Sequence, residues 1–461
     1  PIIILIVLLF LNLMLFENTM NGPNQIALLI TAFLGSLIAL KKGKDIQHIL
    51  RGITTSIQSS MSAITILLII GGLTSTWILS GVVPAMIYYG IELINPKYFL
   101  FTTCVICAIV SISTGSSWTT AATIGIALMS IGELLGFSRG LTAGAIISGA
   151  YFGDKMSPLS ETTNLAPSVS GSNLIEHIKY MTHTTIPTII ITLICFFLIG
   201  ITTTNLDNIS INETSAFLKA IESTFYIGWE LFTLPLIIII LIYFRVSAKK
   251  TLLIGLLSGI VIAMLFQHEL IKEINFNTES FTLATLIKTI LTGTNIQIEH
   301  EAVNNLLSKG GVTGMIWIVI LVITAMTFGG VMYAGDFLKQ ITDLILSKSS
   351  SNLKLIQSTA GSCLFFNITT CDQYLAIVIP GRMFKEIYEE KKLHSTNLSR
   401  TIEDTGTVTS VLVPWNSCAA YHAEILAINP LAYLPYCFFN IISPFMTLFF
   451  AYLNIKIKKI Q

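Results

Sequence analysis

The chain has 461 residues, 53% of them hydrophobic and 11% charged, and its 26 basic and 25 acidic side chains leave a net charge of +1. A soluble globular chain carries about 25% charged residues, so this sequence has too little polar surface to coat a soluble body of its size. The near-neutral balance offers no basic footprint for nucleic acid, and the seven cysteines sit in or beside apolar runs instead of forming a secreted disulfide framework.

A spanning helix needs about 20 mostly apolar residues. Runs at 2–16, 24–40, 56–77, 98–110, 121–135, 184–201, 225–244, 251–266, 314–332, 355–379, 407–421 and 425–453 predict ten to twelve spans. The run 2–16 reads as a first transmembrane helix, since no basic n-region or cleavage site marks a signal peptide. Cys104 and Cys107 form a CxxC, but within the run 98–110, which points to buried thiols and away from redox chemistry.

Basic residues in short loops mark the cytoplasmic side. Lys41, Lys42, Lys44 and Arg51 place one loop there, and Arg245, Lys249 and Lys250 another. Arg382, Lys385, Lys391, Lys392 and Arg400 do the same for a later loop, and Lys456, Lys458 and Lys459 for the C-terminus. The polar, less basic stretches 202–224 and 267–311 fall outside, the second carrying Glu269, Glu273, Glu279, Glu299 and Glu301 and a surface helix.

Both ends of 355–379 then face cytoplasmic loops, with Lys348 and Lys354 before it and Arg382 after it. That predicts a re-entrant hairpin with its tip at Asn367-Ile-Thr369-Thr370. By the same reasoning 98–135 starts and ends outside, with its tip at 111–117, including Thr114 and Ser116. Spacing relates the two halves: Gly81 to Thr114 is 33 residues (114 − 81), and Gly335 to Ile368 is also 33 (368 − 335). The expected fold is therefore an all-α polytopic membrane protein of two inverted repeats with re-entrant hairpins and broken transmembrane helices. Its expected parts are N-terminal helices at 1–55, a first repeat at 56–202, connecting helices and an external loop at 203–312, and a second repeat at 313–461.

Two polar segments interrupt the apolar sequence. The first runs Ser148-Gly-Ala-Tyr-Phe-Gly-Asp154-Lys155-Met-Ser157-Pro158-Leu-Ser160-Glu161-Thr162-Thr163-Asn164-Leu-Ala-Pro167. Gly153 and Pro158 end a helix here, because proline removes a backbone donor and clashes with the preceding turn. Broken backbone inside a membrane is tolerated only where protein buries it or it lines a cavity. An ionisable residue at a helix centre costs about 2.5–3.5 kcal/mol, so Asp154, Lys155 and Glu161 together point to a working site. The alternative is a polar surface loop with Asp154 and Lys155 as a solvated pair. The second segment, 398–418, places Glu403 and Asp404 before Thr405, Gly406, Thr407, Thr409 and Ser410, with Pro414 and Asn416 following. Asp372, just past the second tip, is open to two readings: it reaches the site, or it caps the hairpin. Arg400 reads as a cytoplasmic-end anchor, with a clamp on a substrate carboxylate as the sharper alternative.

Carbonyl, hydroxyl and carboxylate oxygens suit hard cations such as Na⁺, and no His/Cys cluster is present to select a transition metal. One buried carboxylate can hold either H⁺ or Na⁺. The Na⁺ ligands expected are Asp154, Glu161, Asn164 and Asp404, with protons competing at Asp154, Glu161 or Asp404.

At these segments the sequence resembles the NhaC-type Na⁺/H⁺ antiporters of the wider ion-transporter superfamily. The residues that carry the likeness are the first segment from Gly149 to Pro167, Asp372-Gln-Tyr374, Pro380-Gly-Arg382, Leu398-Ser-Arg400, Glu403-Asp-Thr-Gly-Thr407 and Pro414-Trp-Asn416. The resemblance implies a bacterial cytoplasmic-membrane transporter, not an enzyme, working as a homodimer with elevator-like motion. It implies Na⁺ and H⁺ as transported partners, lipid around the chain, and no cofactor. Glu161 stands where that pattern leads one to expect Asp. The family includes malate/lactate exchangers, so exchange of small carboxylates or amino acids is the alternative cargo. An intramembrane aspartyl protease built on Asp154 and Asp404 fits poorly, because Tyr151-Phe152 precede Gly153-Asp154 in place of a Gly-x-Gly-Asp arrangement.

Overall fold

Apolar surroundings leave backbone N–H and C=O groups no partner but one another, and helices satisfy them within a segment. A computed structural model of the chain describes residues 1–16, 22–203, 211–244, 246–276, 282–293, 311–337 and 351–460. Among these residues the fold is all-α, with one isolated bridge between Leu393 and Lys459 as the only extended pairing.

In chain order the helices are α1 (Ile2–Leu15), α2 (Pro23–Lys41), α3 (Ile46–Ser59), α4 (Met61–Leu79), α5 (Val82–Leu93) and α6 (Phe99–Thr114). Then come α7 (Ser117–Thr120), a π-helical turn at Ala121–Gly125, α8 (Ile126–Leu134), α9 (Arg139–Met156), α10 (Glu161–Ser170) and α11 (Leu174–Thr203). The middle of the chain supplies α12 (Ile211–Thr224), α13 (Thr233–Tyr243), α14 (Ala248–Phe266), α15 (His268–Phe276) and α16 (Thr282–Thr292). The last part holds α17 (Ile316–Ala334), α18 (Asn352–Thr369), α19 (Gln373–Glu390), α20 (Ser395–Ile402), α21 (Ser417–Ile425), α22 (Pro430–Tyr433) and α23 (Phe438–Tyr452). The expected external acids Glu279, Glu299 and Glu301, and the loop residues Arg245 and Lys348, lie outside the described residues.

Five helices among the described residues are long and apolar enough to cross a bilayer as single rods, and three bent pairs raise the total to eight. That is fewer than the ten to twelve expected. The runs at 121–135, 355–379 and 407–421 fall in the folded-back or interrupted pieces of the centre. The bent pair at Gly81 turns by 64°, and Gly81 has φ +79°, which a residue without Cβ adopts freely.

Two hairpins fold back as the sequence predicts. The Phe99 and Phe137 rings stack at 5.3 Å, so the start of α6 lies beside the end of α8 and the chain reverses between them. Gly115 (φ +67°) ends α6, and Ser116 caps α7 by accepting from the Thr119 N–H at 3.2 Å. In the second hairpin the Thr359 and Tyr388 hydroxyls meet at 3.2 Å, pairing the start of α18 with the end of α19. Its turn falls at Thr370–Asp372, just beyond the predicted Asn367–Thr370. Thr369 ends α18 and Thr370 is its C-cap, and their hydroxyls donate back to the Phe365 and Phe366 carbonyls, each at 2.8 Å. Cys371, at φ +57°, makes the reversal, and Asp372 caps α19.

The helices gather into two groups. Helices α2, α3 and α17 pack together, as do α4, α14 and α16. Helices α6, α9 and α11, with α10, α18, α19, α20 and α23, form the other group. The tightest seam is α6 on α9. A methyl added at Gly149 would overlap the Cys104 carbonyl, and one at Gly153 would meet the backbone at Ala108 and Ile112. Small residues permit this close approach of two helices in lipid. Gly149→Val is expected to destabilise the protein by about 1–3 kcal/mol through overpacking. The thermal midpoint of the detergent-purified protein measures it, and substitution of Gly361, where an added Cβ meets nothing within 4 Å, is the matched control.

Candidate functional site

The breaks in four helices meet at one place. The tip of the first hairpin (Ser117), the restart after Pro158 (Glu161), the tip of the second hairpin (Gln373) and the restart after Pro414 (Ser417) all line a single cavity of about 290 Å³. The opposite wall is more apolar and comes from the other helix group, with Ile66 of α4, Leu252 of α14 and Val322 of α17. The cavity therefore lies between the two groups.

Asp154, a buried acid at this cavity, is 7% exposed. It sits in the last turn of α9, which stops because Ser157 is extended and Pro158 follows. One carboxylate oxygen, Oδ2, accepts from the Ser117 N–H at 3.0 Å and the Ser117 hydroxyl at 2.7 Å. Across the cavity Asp372 accepts from the Leu375 N–H at 2.9 Å, so it caps the hairpin and also borders the site, and the two readings of this residue are compatible. Glu161 is more exposed and accepts from the Tyr374 hydroxyl at 2.7 Å, which ties the first break to the second hairpin. A second tie runs from Tyr421 of α21, whose ring stacks on Trp118 at 4.2 Å and whose hydroxyl donates to the Trp118 carbonyl at 2.7 Å.

The predicted second acid, Asp404, is elsewhere. Its carboxylate pairs with the Lys155 ammonium, and both side chains are fully buried. The Thr184 hydroxyl donates to Asp404 at 2.8 Å, and the Thr447 hydroxyl also donates to it. Lys155 reaches Ser443 Oγ at 3.3 Å, and its ammonium lies 5.7 Å from the Phe439 ring centroid. The Asp154–Lys155 dipeptide is thus neither a surface loop nor a solvated pair. Successive helix positions point about 100° apart, so the acid faces the cavity and the base faces the protein interior.

Of the predicted site residues, the cavity gathers Thr114, Ser116, Asp154, Ser160, Glu161, Thr162 and Asp372. The rest serve the breaks around it. Ser157 accepts from the Leu159 N–H at 3.2 Å, and Thr163 donates to the Asp154 and Lys155 carbonyls at 3.2 and 3.1 Å, satisfying the freed end of α9. Asn164 braces the Pro158 and Ser160 carbonyls at 2.8 and 2.7 Å. In the second half Asn367 donates to the Gly406 carbonyl at 2.6 Å and to Thr409 Oγ1 at 2.9 Å, and Asn416 donates back to Asn367. Thr405 and Thr409 bond back along their own helical turn, which is π-helical at Glu403–Thr407. Ser410 donates to the Thr407 carbonyl, while Thr407 and Glu403 are buried. The expected set Asp154, Glu161, Asn164 and Asp404 is therefore not brought together: Asp404 pairs with Lys155, and neither Asp404 nor Asn164 lines the cavity. Among the described residues no three acidic, histidine or cysteine side chains converge as a metal site. A cation held here would take hydroxyl and carbonyl oxygens beside Asp154.

Sequence reasoning singled out Lys155 but not its pairing with Asp404, placed Ser117 in the first tip but not against Asp154, and missed the wall residue Trp118. The signal for Lys155 was present as a base inside an apolar helix, a costly placement that calls for a buried counter-charge. Arg400 is also fully buried; its guanidinium stacks on Tyr180 at 4.6 Å and donates to the Lys456 carbonyl at 3.4 Å, far from a clamp on the cavity.

A multi-pass helical membrane protein whose broken helices meet at an acid-lined cavity between two helix groups is a secondary transporter by architecture. Comparison with known proteins makes the assignment specific: the Na⁺/H⁺ antiporter family matches residues 149–455, and the chain belongs to that family. It is 36% identical to the Na⁺/H⁺ antiporter NhaC of Alkalihalophilus pseudofirmus, over 95% of this chain and 91% of that protein. It is 33% identical to a malate-2H⁺/Na⁺-lactate antiporter of Bacillus subtilis, over 98% of this chain and 94% of that protein. It is 35% identical to the arginine/ornithine antiporter ArcD of Halobacterium salinarum, over 92% and 85% of the two chains. The chain is a transporter of the NhaC type and not an enzyme, and the ions it moves are substrates, not cofactors.

Removing one partner of a buried ion pair leaves an uncompensated charge and costs about 3–5 kcal/mol. Lys155→Met and Asp404→Asn should each lower the thermal midpoint, and the double variant should recover most of the loss. Additive losses in the double variant would show that the pair is not coupled.

Proposed function

We propose that the protein exchanges cytoplasmic Na⁺ for external H⁺ across a bacterial cytoplasmic membrane, with the cavity at Asp154 as the shared site. One observation supports this most strongly: three carboxylates, Asp154, Glu161 and Asp372, border the cavity, and among the described residues no lysine, arginine or histidine does. Na⁺ binds at the Asp154 carboxylate with oxygens from Thr114, Ser116, Ser160 or Thr162 around it. A proton on the same carboxylate displaces the ion. Moving the empty, ionised site past apolar walls is costly, so only the loaded or protonated site crosses, and Na⁺ in one direction is coupled to H⁺ in the other.

The position of the cavity between two helix groups supports an elevator-like motion in which α6–α11 and α18–α23 carry the site past the α4, α14 and α17 wall. The two hairpins share one construction, a left-handed residue followed by a polar cap at Gly115-Ser116 and at Cys371-Asp372. That likeness supports the reading of 56–202 and 313–461 as inverted repeats. A homodimer and a cytoplasmic C-terminus complete the proposal, the second resting on Lys456, Lys458 and Lys459.

The relatives named for malate and lactate, or for arginine and ornithine, keep organic cargo as the second reading. An organic anion needs a cationic or amide-rich clamp; the basic side chains of the two polar segments are engaged away from the cavity, Lys155 with Asp404 and Arg400 with Tyr180 and Lys456, and among the described lining residues Gln373 is the one side-chain amide. Inorganic exchange is the reading preferred.

In proteoliposomes a Na⁺ gradient should drive proton flux that malate, lactate and amino acids leave unchanged, and Asp154→Asn should abolish it while the protein still inserts. Normal exchange by that variant would overturn the assignment of Asp154. Exchange that requires malate or lactate would establish the second reading.

A further inference from the structure

Helix breaks away from the cavity obey the same rule as those at it: their freed backbone groups need partners from the protein. Two such breaks lie where the chain passes between the helix groups. It leaves α4 at Ser80–Gly81, where a bend of 64° sends α5 across to pack on α8. It returns at Tyr226, where a bend of 81° between α12 and α13 brings it back against α14.

One side chain serves both breaks. Gln267 sits at the junction of α14 and α15, 2% exposed. Its Nε2 donates to the Ser80 carbonyl at 3.2 Å and to the Tyr226 carbonyl at 3.0 Å, and its Oε1 accepts from the Tyr226 N–H at 3.0 Å. A primary amide offers two donors and an acceptor together, so it answers all three groups, which neither an acid nor an aliphatic chain can do. Gly81 leaves the room: a Cβ there would lie 2.2 Å from Gln267 Nε2. The two crossings are also tied to each other. The Trp229 ring stacks on Tyr89 of α5 at 4.2 Å, and the Tyr88 hydroxyl donates to Glu222 of α12 at 2.7 Å. They form one joint with Gln267 at its centre, and none of these residues lines the cavity.

We propose that Gln267 is a latch on the joint between the helix groups: its three hydrogen bonds hold the bends at Gly81 and Tyr226 at the angles seen here, and releasing them is a step of the movement that carries the cavity past the opposite wall. This rests on the reading that one group moves against the other. Packed helices joined by short bends shift relative to one another only if residues at the bends change their backbone angles. Hydrogen bonds weaken steeply as their angles depart from linear, so an amide fixed on α14 cannot keep all three while the bends change. Gln267 is thus a positioning residue, remote from the transported ions, that sets the balance between the two arrangements.

Single-molecule fluorescence energy transfer on the full chain in lipid nanodiscs tests this. Donor and acceptor dyes are coupled through unnatural side chains at the exposed positions Glu133 of α8 and Lys250 of α14, which leaves the native cysteines in place. Wild type should alternate between two separations. Gln267→Met, similar in length but without a donor, should move the ratio of their populations at least ten-fold away from the separation that matches this structure. Gly81→Ala, which drives the amide off its partners, should move it the same way. An unchanged ratio in folded Gln267→Met would overturn the proposal. So would an equal shift in Gly149→Val, which disturbs a seam within one group and should lower only the thermal midpoint. If Gln267→Met does not fold, Gly81→Ala decides on the same criterion. A single separation in the wild type would overturn the moving-group reading and the latch with it, whereas Na⁺-driven proton flux, measured separately, judges the exchange reading.

Discussion

The constraint on which the structure depends is that a helix broken inside an apolar body must have its loose ends satisfied by protein. Four helices start at one cavity, and every start carries a polar cap supplied by the chain: Asp154 with Ser116, Ser160, Asp372 and Asn416. Freed carbonyls are answered in the same way by Thr163, Asn164 and Asn367. The hydroxyl and amide density that marks the sequence is thus mostly structural, and the few groups left over face the cavity. Asp154 and Asp372 do both, capping a hairpin tip and bordering the cavity.

A second constraint is charge. The buried Lys155–Asp404 pair lies one residue away from Asp154 and joins the first break to the second. Burying two charges is offset only when geometry and further hydrogen bonds are good, and Thr184, Thr447 and Ser443 supply those bonds. Lys155 is committed to Asp404, and among the described residues no lysine, arginine or histidine lines the cavity at Asp154. The carboxylate at the cavity remains available to an external cation, and that availability is what an exchanger requires.

The hairpins and the first break were legible in the sequence because each depends on local chemistry. Gly115 ends a helix, Pro158 ends another, and basic loops on both sides of 355–379 require a reversal. The reversal at Cys371 was less legible, since a non-glycine residue in the left-handed region carries no compositional signal. The pairing of Lys155 with Asp404 was not legible, because it joins positions 249 residues apart (404 − 155) and depends on how α9 is rotated. Symmetry between the two polar segments suggested one shared ion site. The two acids instead took different partners, as adjacent positions on one helix face different surroundings. Apolar runs such as 407–421 are buried among other helices, so apolarity by itself does not count spans.

The central claim is that Na⁺ and H⁺ compete for one carboxylate, Asp154. Equilibrium binding of radiolabelled Na⁺ to the purified protein, measured across pH, tests it most directly. The account predicts that acidification weakens Na⁺ binding by up to about ten-fold per pH unit without lowering the number of sites, as linkage between two ligands of one group requires, and that Asp154→Asn removes the binding. Na⁺ affinity that is independent of pH, or retained in that variant, would contradict it.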